Sequence, residues 1–589
     1  MRVSDYIADF IANQGVKHPF LITGGAVFGL VDGVAHHPKL DYICTENEQG
    51  AAMAADAYSR INNNLGVAIS TSGPGATNLI TGVCCAWYDS IPTLFLTGQV
   101  SSGKLRGDSQ VRQLGFQETD TVALFSSITK YSSQVRDPKE IRYELEKATH
   151  LARSGRPGPV HLDIPNDVQR TEVNPAELRG YSPERRTVDY EGLGRKVAQA
   201  LDMLDGAERP LIILGAGVRL AKSEKRARAL VERLNIPVAL TWATKDFLPY
   251  DHPLVIEGFG VSSGRYGNFA VQNADMILAI GTRLDTHESS NLALFAKGAR
   301  KVIVDIDKHE LEKFPIGGME PEVVINNDVV DFLNAVEYLS RNSSPRNLKE
   351  WLGKINHWKE KYPICPAECF QQKGTVNPYA FMDVLSRQSK EGDIIITDAG
   401  ATLTWTMQGF RIKEGQRLIT AFNNSPMGYS LPAAIGAYFA SGKPIVCTMG
   451  DGSMQMNVQE LATVRHHNIP AKLFIFDNKG YGMIRQTLDT YMGSRYAAVD
   501  NQTKLPAPNL RKVAEAYGIP TSEIRDNSGL EDGIRHVLEY DGPIVCNVNI
   551  DQNERIQPKL IPGKSLEELA PRLSDEELAR EMIIPGEKK

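Results

Sequence analysis

The sequence predicts an α/β protein built of three consecutive doubly wound domains, and three observations carry that expectation. At 589 residues the chain is too long for one hydrophobic core. Short apolar runs alternate with amphipathic helical stretches almost throughout, the pattern of parallel sheets covered by helices. Two polar stretches, near 170–190 and 340–375, divide those runs into three sets. The domains are therefore expected at 1–175, 190–340 and 370–555, with a tail at 556–589.

Strands are expected first at PFLITGG (19–25), LDYICTE (40–46), LGVAIST (65–71), PTLFLTG (92–98) and PVHLDIP (159–165). The second set is PLIILGAG (210–217), PVALTWA (237–243), MILAIGT (276–282), KVIVDID (301–307) and VVIN (323–326). The third is DIIITDAG (393–400), PIVCTMGDG (444–452), KLFIFDN (472–478) and PIVCNVNI (543–550). The chain opens on a helix with Ser4 or Asp5 as N-cap and Ile7, Phe10 and Ile11 on one face. A short helix is expected in the tail at SLEELAPRLSDEELAREM.

Composition narrows the function classes. The chain is 42% apolar and 23% charged with a net charge of -6, and no basic run marks a nucleic-acid surface. No apolar window is long enough to span a bilayer, and the N-terminus lacks the parts of a signal peptide. Cys365 and Cys369 form a lone CxxxC without the second pair a zinc site needs. Reduced thiols in a cytoplasmic enzyme acting on small molecules, away from membrane and nucleic acid, are the expectation.

The third set carries the strongest signal. Gly450-Asp451-Gly452 follows one apolar run, and Asn478 follows another, 27 positions after Asp451. Both polar residues thus fall at strand carboxyl ends, where α/β folds place ligands. A carboxylate and an amide oxygen are hard ligands suited to Mg²⁺, and the Gly480 carbonyl could be a third. Gly450 and Gly452 let backbone approach a ligand, and Ser453 can start a helix whose N-terminus faces an anion. Taken alone, GDG is a tight turn and DNKG a loop; the paired spacing sets them apart. The whole run GDGSMQMNVQELATVRHHNIPAKLFIFDNKGYG resembles the thiamine-diphosphate motif, most closely that of the acetolactate-synthase branch. The resemblance extends over about residues 1–560 and implies the pyrimidine-binding, central and diphosphate-binding domains of that enzyme fold, with thiamine diphosphate and Mg²⁺ as cofactors.

Further residues take roles from the same resemblance. Glu48, in CTENEQG, matches the glutamate that hydrogen-bonds the cofactor's pyrimidine; as a helix-opening carboxylate, Glu46 fits the helix dipole equally well. Asn47 stands where the family has histidine. Met427 matches the residue that props the cofactor in its bent shape, and Met483 belongs to the same cofactor site. SGPGATNLITG, DSIPTLFLTGQV, GFQETD, ITKYS and GRPGPVHLDIPNDVQ also match, which implies Phe116 and Gln117 beside the thiazolium and Gly25 near the substrate carbonyl. In the central domain, LGAGV (Gly215, Gly217), GTRLD (Arg283), VDIDK (Asp305) and Asp328 match loops that hold FAD in relatives, which implies FAD here, structural rather than redox-active. Family geometry puts Glu48 and the metal site on different subunits, implying a homodimer at minimum and a homotetramer as the fuller assembly.

Two departures touch the acceptor sub-site. His287 replaces the second arginine of the family's G-x-R-F-D-D-R, and an imidazole lacks the guanidinium fork that grips a carboxylate. Thr487 replaces a pocket-bounding tryptophan and leaves more room. The expected activity is a carboligase that decarboxylates pyruvate or a similar 2-oxo acid and transfers the two-carbon unit to a carbonyl acceptor, with a nucleotide-activated keto-deoxysugar among the candidates. Acetolactate synthase proper, a pyruvate oxidase, another thiamine-diphosphate lyase or acyltransferase, and a cofactor-free subunit are the alternatives.

Overall fold

The structure, a computed structural model, describes residues 1–184, 186–341 and 344–584. Three six-stranded, all-parallel sheets follow one another along the chain. The first holds β1 (Phe20–Leu21), β2 (Ile43–Cys44), β3 (Gly66–Ser70), β4 (Thr93–Gln99), β5 (Tyr131–Gln134) and β6 (Val160–Pro165) in the order β2-β1-β3-β4-β6-β5. The second holds β7 (Pro210–Leu214), β8 (Val238–Leu240), β9 (Val255–Glu257), β10 (Met276–Ile280), β11 (Arg300–Asp305) and β12 (Val323–Asn326), ordered β12-β11-β10-β7-β8-β9. The third holds β13 (Ile394–Thr397), β14 (Arg417–Ile419), β15 (Ile445–Gly450), β16 (Ala471–Asp477), β17 (Thr521–Ile524) and β18 (Ile544–Asn549), ordered β14-β13-β15-β16-β18-β17.

Four of these strands, β5, β9, β14 and β17, are absent from the strand sets expected above, and each lies at a sheet edge. An edge strand buries less of its surface and needs no continuous apolar run. Tyr-Ser-Ser-Gln in β5 is only half-buried throughout.

Other expectations need correction. Arg2, not Ser4 or Asp5, precedes the first helix, Val3–Asn13; Asp5 instead pairs with Arg2 and Ser4 is buried. The polar stretch 340–375 contains a helix, Lys349–Lys361, whose Trp351, Ile355 and Trp358 bury against the central sheet. The tail does not form one helix over 565–582. Residues Lys559–Leu560 and Leu569–Ala570 pair as an antiparallel ladder, β19 and β20, and only Asp575–Glu581 is helical, capped by Ser574. Pro571 has no N–H and stops the helix from extending upstream. This tail is structural: Leu560, Leu566 and Leu569 join the central core, while Glu581 accepts from the Trp358 indole at 2.8 Å.

The first and third sheets share one strand order, and the first sheet's core merges with one face of the third, whose other face has a core of its own. Helix Glu48–Asn62 follows β2, helix Ser430–Ser441 follows β14, and the two make the most extensive helix contact among the described residues. Glycine permits that approach: a Cβ on Gly436 would lie 2.0 Å from the Ala54 carbonyl oxygen. No described helix is long and apolar enough to cross a membrane.

Candidate functional site

At the carboxyl end of the first sheet, Asn47 caps the helix Glu48–Asn62 by accepting from the Gln49 N–H at 2.8 Å. That is the structural use of Asn47. Glu48 begins the helix, is 9% exposed, and accepts from Asn78 Nδ2 at 2.9 Å. Glu46 is exposed. The structure thus separates two carboxylates that dipole reasoning leaves equivalent. A Cβ on Gly75 would stand 3.1 Å from the Glu48 carboxylate, so the 72–78 segment packs directly on it.

The loop after β4 supplies the rest of this group. Gln117 adopts a left-handed φ of 63° and backs onto Gly73, whose added Cβ would meet the Gln117 carbonyl at 2.9 Å. Phe116 beside it is 84% exposed. Glu118, not among the expected site residues, staples this loop: its buried carboxylate accepts from the N–H groups of Arg106, Leu114 and Gly115 at 2.6, 2.9 and 3.3 Å. Gly25 lies on the neighbouring loop after β1, with nothing within 4 Å of an added Cβ.

The third sheet builds the second group. Asp451 directly follows β15 and Asn478 directly follows β16, two adjacent strands. Asp451 accepts from the N–H groups of Gly452 at 2.7 Å and Gly480 at 3.0 Å. Burial and the neighbouring Asp477 push its carboxyl up to about 7. The helix there starts at Asp451, so Ser453 lies within its first turn and does not start it. Gly480 is obligatory, since a Cβ would collide with the Val499 carbonyl at 2.0 Å, and Gly452 is closed over by Tyr481 and Met427. Gly450 and Gly400 differ: an added Cβ would meet nothing closer than 3.7 and 3.8 Å. With Gly25 they border open space, room that a bound group can use. Met427 precedes Gly428, whose N–H donates to buried Asp398 at 2.8 Å; Asp398 also accepts from Ser430. Met483 and Thr487 sit on the helix Gly482–Tyr491, with the Thr487 hydroxyl donating to the Met483 carbonyl at 3.0 Å.

Among the described residues no hydrogen bond or ion pair joins Glu48 and Gln117 to Asp451, Asn478 or Met427. The domains are tied beside them by Glu460, a fully buried carboxylate that accepts from the N–H groups of Glu46 and Asn47, each at 3.1 Å. Burial holds Glu460 up to about 7. The sequence marks it only as one more acid in a helical run.

The central sheet reads 3-2-1-4-5-6 in its own numbering, and its switch point falls between β7 and β10. A cavity of about 620 Å³ opens there, lined by Gly217, Arg283, Asp305 and Asp328 and flanked by Arg153, Arg156 and Arg219. Gly217 donates to the Gly281 carbonyl at 2.9 Å, and a Cβ on it would lie 2.8 Å from Gly281 Cα. Gly215 lies behind the cavity, packed on Thr282. Burial raises Asp305 to about 6; Asp328 caps the helix Val329–Leu339 and pairs with Arg186. His287 also lines this cavity, its ring 3.9 Å from the Trp242 ring, and burial lowers it to about 4, so it is neutral near pH 7.

Comparison with known proteins agrees with this layout. Residues 1–124 match the N-terminal TPP binding domain of thiamine pyrophosphate enzymes, 197–336 the central domain and 398–548 the C-terminal TPP binding domain. The acetolactate synthase large subunit of Pyropia yezoensis is 33% identical over 573 residues, covering 95% of this chain and 93% of its own. That of Lactococcus lactis subsp. lactis is 32% identical over 572 residues, covering 96% and 95%. The probable acetolactate synthase large subunit of Methanocaldococcus jannaschii is 34% identical over 588 residues, covering 96% and 94%. The chain belongs to the thiamine-diphosphate-dependent enzymes, in the company of the acetolactate synthases.

Proposed function

We propose that this enzyme is a carboligase of the acetolactate-synthase type, which joins the two-carbon unit of pyruvate, or the matching unit of a similar 2-oxo acid, to a second carbonyl compound. The observation that carries it is the pairing of a buried Glu48 at the first sheet's carboxyl end with Asp451 and Asn478 at the third's. Bound thiamine diphosphate supplies the electron sink that lets a 2-oxo acid lose CO₂. Overall, the donor's C1–C2 bond breaks, a carbon–carbon bond forms to the acceptor's carbonyl carbon, and the acceptor oxygen takes a proton.

Asp451, Asn478 and the Gly480 carbonyl would hold Mg²⁺ against the diphosphate; the buried carboxylate of Asp451, bonded only to backbone N–H groups among the described residues, fits that use. Glu48, kept in place by Asn78, would hold a proton at the cofactor's pyrimidine nitrogen. Gly450, Gly452 and Ser453 would border the diphosphate, and Met427 and Met483 the rings. Phe116, Gln117 and Gly25 would border the donor. The central cavity would take FAD through Gly217, Arg283, Asp305 and Asp328; the dinucleotide strand order and the arginines support this. Phe116 at 84% exposed and Tyr491 at 63% exposed are apolar surfaces that a second copy would cover, completing the site in a homodimer or homotetramer.

A second 2-oxo acid as acceptor has the support of the relatives' names. A bulkier neutral carbonyl, such as a keto-sugar, has the support of neutral His287 and small Thr487. Mass spectrometry of products from pyruvate with 2-oxo acids, aldehydes and 4-keto sugars separates them. Acetolactate as the fastest product establishes the synthase. Absence of CO₂ release with every 2-oxo acid would falsify the carboligase reading.

A further inference from the structure

The tail runs from the helix that carries Thr487 to the loop that carries His287, the two residues that depart from the family at the acceptor. The Ile556 N–H and carbonyl exchange hydrogen bonds with the Gln486 side chain, each at 3.0 Å, beside Thr487. The Pro558 carbonyl accepts from Gln408 Nε2 at 2.8 Å. Leu560 then donates its N–H to the Val261 carbonyl at 2.8 Å, and Val261 donates to the His287 carbonyl at 2.9 Å. Lys559 therefore lies on the strap that runs from the Thr487 helix to the His287 loop. Leu560 buries in the central core, so alternation along β19 turns Lys559 to the opposite side. Lys559 is half-buried, and its charge is felt at the His287 ring. Among the described residues no carboxylate pairs with it. An ammonium partly stripped of water without a counter-ion is costly until an anion joins it.

We propose that Lys559, carried on this strap, recognises the carboxylate of the acceptor. This rests on the carboligase reading and assigns its acceptor to the 2-oxo acids. An ammonium is a point charge with rotatable donors, so it demands less of the carboxylate's orientation than a guanidinium fork. With Thr487 leaving room, the site then suits 2-oxo acids bulkier than pyruvate.

The test uses the cofactor-loaded enzyme with pyruvate as donor and equal 2-oxobutanoate and benzaldehyde as competing acceptors. Lys559→Met lowers the ratio of acid adduct to benzaldehyde adduct at least tenfold, while benzaldehyde adduct formation, which reports a folded and loaded enzyme, stays near wild type. Lys559→Arg keeps the ratio within about threefold, and adding His287→Arg to Lys559→Met recovers it. A Lys559→Met ratio within twofold of wild type overturns the proposal, as does an equal loss of both adducts. A wild-type enzyme that forms the benzaldehyde adduct but no acid adduct also overturns it, leaving the carboligase reading intact. No CO₂ release from any 2-oxo acid instead removes that reading, and Lys559's role with it.

Discussion

The first and third domains have the same strand order and pack through topologically equivalent helices, yet they present different chemistry at their carboxyl ends. The first opens its helix with Glu48 and surrounds it with the 72–78 segment and the Glu118-stapled loop. The third places Met427 just ahead of the equivalent helix and puts Asp451 and Asn478 just after two of its central strands. One topology thus carries two different sets of loops, which in the proposed function divide the work of one site. The central domain, ordered as a dinucleotide fold, surrounds a cavity instead.

If the two halves divide the labour this way, their variants fail differently. Glu48→Gln should lower turnover by on the order of a hundredfold or more while keeping cofactor affinity, because an amide cannot hold the proton at the pyrimidine. Asp451→Ala or Asn478→Ala should instead lose Mg²⁺-dependent cofactor binding, read by titration calorimetry. Loss of cofactor affinity in Glu48→Gln, or wild-type affinity in Asp451→Ala, would erase the division.

Glu460 sharpens the contrast at the seam between the two domains. Its folded value of about 7 lies above its ordinary 4.5, so the folded state holds its proton more tightly than the unfolded state. The contribution to stability is greatest below pH 4.5 and is lost as pH rises through 7, on the order of 3 kcal/mol in all. Glu460→Gln should flatten that slope in denaturant titrations between pH 5 and 8. An unchanged slope assigns the pH dependence to other groups.

The smallest effect concerns the shared helix pair. Gly436→Ala forces a methyl against the Ala54 carbonyl and should destabilise the fold by about 1–3 kcal/mol, seen as a lower Tm. An unchanged Tm would mean that the helices yield easily.

Much of the fold was legible because buried parallel strands announce themselves. PLIILGAG, KLFIFDN and PIVCNVNI are continuous apolar runs, and each proved a central or near-central strand. Asp451 and Asn478 stood out for a related reason, since each directly follows such a run. Edge strands such as Tyr131–Gln134 and Thr521–Ile524 carry no such run and stayed hidden. The helix Lys349–Lys361 was masked by its lysines, although Trp351 and Trp358 are its buried anchors.

The sequence by itself determined the α/β class, the three strand sets and the residues that end strands. Those properties depend on local apolar patterning and on spacing along the chain. Only the tertiary structure decided that Glu48 rather than Glu46 is buried, that Glu118 and Glu460 hold the loops around it, and that the tail docks through Val261 onto the His287 loop. Each of those facts depends on which distant backbone groups or charges meet a side chain. Glu460 lies 413 positions from Asn47, and no period along one chain encodes that encounter.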